Sequence, residues 1–98
     1  MNLEQEIFFG KLFGKSNKEI ATDIFSKLKN TPTSQHILAD IKKDKELVNI
    51  LDKSLNESTD FEKTASFLVQ GQASSEEEKD KLEIISLVTL MIYVESKK

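Results

Sequence analysis

Apolar positions along this chain recur with helical rather than alternating spacing. The pattern is densest at Leu82 to Val94 (Leu-Glu-Ile-Ile-Ser-Leu-Val-Thr-Leu-Met-Ile-Tyr-Val). At 100° per residue, Ile84, Ile85, Leu87, Val88, Leu90, Met91, Ile92 and Val94 cover well over half the circumference, leaving Ser86, Thr89 and Tyr93 in the gap. A helix so apolar needs other elements around it. A strand fits less well, because the run is too long and is entered through Ser74-Ser-Glu-Glu-Glu-Lys-Asp-Lys81, which is helix-start chemistry.

The rest of the chain reads as amphipathic helices arranged around that one. Residues 2–13 predict a helix with Leu3/Ile7, Phe8/Leu12 and Phe9/Phe13 as i,i+4 pairs spread over three sides, weakened by Gly10 and ended by Gly14. The surplus Phe8, Phe9 and Phe13 imply deep burial, a partner surface or membrane contact; burial is the commonest fate of phenylalanine. Ser16-Asn-Lys-Glu19 forms a capping box, followed by a stripe of Ile20, Ala21, Ile24, Phe25 and Leu28 that Asn30, Thr31 and Pro32 terminate.

Thr33 or Ser34 opens the next stripe. Lys42-Lys-Asp-Lys45 interrupts it, so residues 34–56 are one helix or two, with Asp44 able to cap the second. Asn56-Glu-Ser58 reads as a turn. Thr59-Asp-Phe-Glu62 and Ser74-Ser-Glu-Glu77 read as two more capping boxes, the first opening a short helix (Phe61, Ala65, Leu68, Val69) that Gly71 ends. The fold class expected is all-α: a compact bundle of four to five helices, one domain over residues 1–98, with the C-terminal helix central.

Composition narrows the chemistry. No cysteine is present, which removes disulfides, thiolate metal sites and thiol nucleophiles. Acids at the N-terminus stand where an export signal carries positive charge, and the final apolar run is short for a bilayer and flanked by Glu83 and Glu95. A cytoplasmic location without a membrane span is therefore expected. All 14 basic side chains are lysine, and the net charge is -3. Lacking arginine for bidentate base and phosphate contacts, a mildly acidic chain makes a poor nucleic-acid binder.

His36 has a neighbouring carboxylate, Asp40, but no second imidazole, so it reads as a histidine near a helix start. The acids Glu76, Glu77, Glu78, Asp80 and Glu83 lack the alternate spacing and glycine of a calcium loop, and read as a solvated helix start that doubles as a docking patch. Ser86 and Thr89 are expected to bond backbone carbonyls one turn back, with the Tyr93 oxygen turned to solvent. A nucleophile lacks a base, and Gly10, Gly14 and Gly71 form no phosphate loop. No catalytic, cofactor or metal residue is assigned, and no enzyme activity is expected.

Gly14-Lys-Ser-Asn-Lys-Glu-Ile-Ala21, preceded by Glu6-Ile-Phe8, resembles the opening of the helix-turn-helix of LuxR-type response regulators over less than a fifth of the chain. It departs from that motif at the turn (Phe25, Ser26, Lys27) and at the recognition-helix start (Pro32, Thr33). Ala73-Ser-Ser-Glu-Glu-Glu78 resembles an acidic helix start in nuclease-colicin immunity proteins, without their tyrosine pair. Neither resemblance transfers a functional residue. The function expected is protein–protein binding of inhibitor, immunity or adaptor type, through Phe8, Phe9, Phe13, Glu76, Glu77, Glu78 and Asp80. Self-association through the Phe-rich helix stays open, and the alternative is a helix-turn-helix DNA binder using residues 3–43.

Overall fold

The computed structural model describes residues 2–57, with the backbone only of Glu57, and 60–97. Among these, six helices and no strands are found: α1 Leu3–Leu12, α2 Asn17–Leu28, α3 Pro32–Lys43, α4 Lys45–Glu57, α5 Phe61–Val69 and α6 Glu76–Glu95. The all-helical class agrees with the apolar spacing. The count exceeds four to five because residues 34–56 divide at Asp44, which accepts a hydrogen bond from the Leu47 amide at 3.1 Å and so starts α4 as its cap.

Helix ends follow local chemistry, sometimes one residue away from the expected place. α1 closes with Gly14 in the left-handed region, the Lys15 amide bonding the Gly10 carbonyl and the Gly14 amide that of Lys11, the two bonds of a Schellman ending. The Ser16–Glu19 capping box forms in full. Pro32 does not merely stop α2. It is the first residue of α3, where its missing N–H costs nothing, and Thr31 is the cap, accepting from the Ser34 amide. Asn56 and Glu57 continue α4 rather than turning. α5 is capped by Asp60, which accepts from the Glu62 and Lys63 amides, in place of the expected Thr59 box; Thr59 and Ser58 lie outside the described residues. α6 is capped by Ser75, which accepts from the Glu78 amide, while the Glu78 carboxylate accepts from the Ser74 amide and hydroxyl, so the expected Ser74–Glu77 box gives way to a one-sided cap shifted by one residue.

The core gathers on α6. Every residue from Leu82 to Val94 is buried or half-buried. Ile84, Leu87, Val88, Leu90, Ile92 and Tyr93 join Ile20, Ala21 and Ile24 of α2, Ile41 of α3, Leu51 of α4 and Ala65 of α5 in one cluster. α6 packs against α2, α3 and α5, which explains how a helix apolar on several sides is enclosed. Each fully buried Leu or Ile contributes roughly 1.5–3 kcal/mol of transfer free energy. α1 packs on α2 through Leu3, Ile7 and Gly10, and Gly10 is needed there. A Cβ on it would come within 2.5 Å of the Ile20 side chain, itself held in the core.

Candidate functional site

The three phenylalanines that could have been core are surface. Phe8, Phe9 and Phe13 are 62, 50 and 75% exposed, and Leu12 beside them is 66% exposed. The reason is geometric. A ten-residue helix resting on α2 buries the side bearing Leu3, Ile7 and Gly10, which leaves the opposite side without a neighbour. The Phe8 and Phe9 rings meet edge to face, their centroids 5.5 Å apart.

The structure brings the two sequence-distant candidate patches to one place. An open groove of about 1030 Å³ runs between α1 and the start of α6, with Ile7, Phe8 and Phe9 on one side and Glu77, Glu78 and Asp80 on the other. Glu76 and Phe13 are exposed and do not line it. Glu83 does not join the groove; it accepts from the Asn17 amide group at 3.1 Å, which also donates to Asp80 at 3.2 Å.

Ion pairs hold the two walls together. All three charged side chains of α1 are engaged: Glu4 with Lys81 at 2.7 Å, Glu6 with Lys27 at 2.5 Å and Lys11 with Asp80 at 3.0 Å. Lys81 hydrogen-bonding to Glu4 holds that carboxyl below its ordinary value, and Lys11 does the same for Asp80. Glu78 is likewise lowered, here by the Ser74 hydroxyl and amide. Glu77 stays exposed within electrostatic range of Lys81. Lys81, Lys11, Glu4 and Asn17 had no local signal in the sequence, since their partners lie 63 to 77 residues away or across a turn.

At the far end of α6, Tyr93 departs from expectation. It is 3% exposed, and its hydroxyl donates to Asp52 of α4 at 2.5 Å instead of facing solvent. Lys97 pairs with the same carboxylate at 2.8 Å and lies 4.8 Å from the centre of the Tyr93 ring. Burial, then the Asp52 carboxylate, raises the phenol; Lys97, then Tyr93, lowers Asp52. Thr89 bonds the Ile85 carbonyl one turn back, as expected. Ser86 and Thr89 also line a second groove of about 740 Å³ with Leu47, Leu51 and Leu68, beside the exposed Ile50 and Phe67. Phe67 carries no signal in the apolar spacing, because it falls off the buried face of α5.

His36 and Asp40 are both exposed on α3. Among the described residues no group of three or more histidine, aspartate or glutamate side chains is placed to hold a metal ion, and no helix is long and apolar enough to cross a membrane. The chain matches no known family model, no curated protein sequence and no solved structure.

Proposed function

We propose that this protein acts by binding another protein, as an inhibitor, immunity factor or adaptor and without catalysis, through the groove between α1 and the start of α6. One observation carries the reading: Phe8 and Phe9 face Glu77, Glu78 and Asp80 across a single open groove, although the two patches are some seventy residues apart in sequence. Four large apolar side chains exposed side by side on a short helix form the kind of patch that marks an interaction surface rather than scattered surface hydrophobics. Charged side chains of α1 already engaged within the chain leave its outer face neutral, which suits burial against a partner.

The test is alanine at Phe8, Phe9 and Phe13 together. Affinity capture from the native host should recover a protein with the wild type and lose it with the variant, while circular dichroism shows unchanged helicity. Loss of helicity would make the three side chains part of the core and remove the surface they are assigned to. The alternative, a helix-turn-helix on residues 3–43, would read DNA with α3, whose exposed Gln35, His36, Ala39 and Asp40 precede basic residues confined to its last turn. A gel shift on mixed duplex DNA across a salt series separates the two, because the protein-binding reading expects no shift at moderate salt.

A further inference from the structure

We infer that the groove between α1 and α6 receives a cationic amphipathic helix, with its apolar side on Ile7, Phe8 and Phe9 and its lysines or arginines against Glu4, Glu77 and Asp80. The inference rests on the protein-binding reading above and specifies the chemistry of the partner.

The lining has two characters. Ile7, Phe8 and Phe9 of α1 give it an apolar stretch, and its rim carries four carboxylates, Glu4 of α1 itself and Glu77, Glu78 and Asp80 of α6, against two lysines, Lys11 and Lys81. Those lysines do not close the rim. Their pairs with Glu4 and Asp80 are surface ion pairs, each worth about 0–1 kcal/mol, and a carboxylate offers roughly four acceptor positions. Incoming cations can therefore share or replace them at little cost, and Glu77 is available without any exchange.

The shape of the occupant follows by elimination. Strand addition needs an open sheet edge, and the described residues contain no strand. Polyproline recognition needs a platform of exposed tyrosine or tryptophan; the chain has no tryptophan, and its single tyrosine is buried at the far end of α6. Arginine clusters that read phosphate-bearing motifs are absent too, since the chain has no arginine, and a helix laid in the groove is the mode that its apolar stretch and acidic rim suit. Ten residues of α1 give a wall about 15 Å long, enough to seat about three turns.

Two other occupants fit less well. A second copy presenting α1 would match the apolar stretch, but α1 carries two carboxylates, Glu4 and Glu6, against one lysine, Lys11, so it brings further negative charge to an acidic rim. An anionic membrane meets that rim with like charge.

The probe is a leucine/lysine amphipathic peptide of about 18 residues, long enough to be helical, compared with the same peptide carrying glutamate at each lysine. At about 0.15 M salt, the lysine peptide should bind saturably at micromolar concentration and the glutamate peptide should not. Phe8→Asp and Glu77→Lys should each weaken binding about tenfold, and Phe67→Asp, on the second groove, should leave it unchanged. Both groove positions are exposed, so the fold should survive; if circular dichroism shows that Phe8→Asp does not fold, Glu77→Lys decides alone.

Equal binding of the two peptides, or full affinity in both groove variants, overturns the proposal. So does binding to anionic vesicles in place of the peptide. A wild type that ignores both peptides yet self-associates in sedimentation, in a manner lost with Phe8→Asp, removes the cationic partner and keeps the protein-contact reading. If peptide binding and self-association are both absent and the triple-alanine comparison shows no difference in capture, both readings fall.

Discussion

α1 and α6 both carry apolar side chains on more than one side, yet only α6 is enclosed. α6 runs 20 residues with α2, α3 and α5 packed against it, and Ile84, Leu87 and Leu90 reach 0 to 1% exposure. α1 is half as long and packs chiefly on α2, so Leu3 and Ile7 find neighbours while Phe8, Phe9, Leu12 and Phe13 stay exposed. An apolar circumference thus demands burial without specifying who provides it. In α6 the chain supplies the cover itself; in α1 four large apolar side chains stay exposed, the surface on which the proposed protein contact rests.

Cutting one apolar side chain back to alanine in α6 and one at the end of α1 should separate the two cases. Leu87→Ala should cost about 3 kcal/mol, within the usual span for a buried leucine whose neighbours cannot close the cavity. Phe13→Ala, at a site three-quarters exposed, should change stability by less than about 0.5 kcal/mol. Urea denaturation of both variants measures the difference. Equal losses would place Phe13 in a core and erase the contrast between the helices.

What could be read from residues alone divides along the same line. The enclosed helix was legible because Leu82 to Val94 has no polar face wide enough to leave in water, and the caps at Ser16 and Asp44 were legible because a cap is a contact between near neighbours. Placing the α5 and α6 caps required choosing between adjacent candidates, Thr59 or Asp60 and Ser74 or Ser75, which local chemistry alone does not rank. Tyr93 was misplaced because its partner, Asp52, lies 41 residues earlier on another helix. The groove was invisible for the same reason: each patch could be named from its own residues, but their meeting depends on how α1 lies on α2 and how α2 lies against α6.

Gly10 sets how α1 lies, and a larger residue there should release it. Gly10→Leu would drive a side chain into Ile20, where even a Cβ comes within 2.5 Å, at a cost of about 2 kcal/mol. Hydrogen exchange should show the loss concentrated in α1 amides, with those of α6 weakened less. A smaller effect is expected at the opposite end. Tyr93→Phe removes the donor to Asp52 while keeping the buried ring, and should cost about 1 kcal/mol, the usual net worth of one hydrogen bond. The Asp52 carboxylate keeps Lys97 as partner, so the fold around it should hold. A loss as large as that of Leu87→Ala would show this polar cluster to be as important to the core as the leucines are.

The weakest link between the two helices is electrostatic, and acid should loosen it before it touches the core. Glu4 and Asp80 sit below their ordinary values of 4.5 and 3.8 because Lys81 and Lys11 favour their charged forms. A carboxyl lowered in the folded state contributes stability that is fully present above its unfolded value and fades as pH falls through the lower folded one. The α1–α6 pairs should therefore hold at neutral pH and weaken below about pH 4.5, with most of the loss beneath the ordinary value of Asp80. Because the groups are largely exposed, the change should register as faster exchange of α1 amides rather than as global unfolding. High salt at neutral pH should reproduce part of it by screening the same pairs. If α1 and α6 amides instead lose protection together along the acid titration, α1 is held by the core and not by its ion pairs. The open groove would then be a rigid feature of the fold.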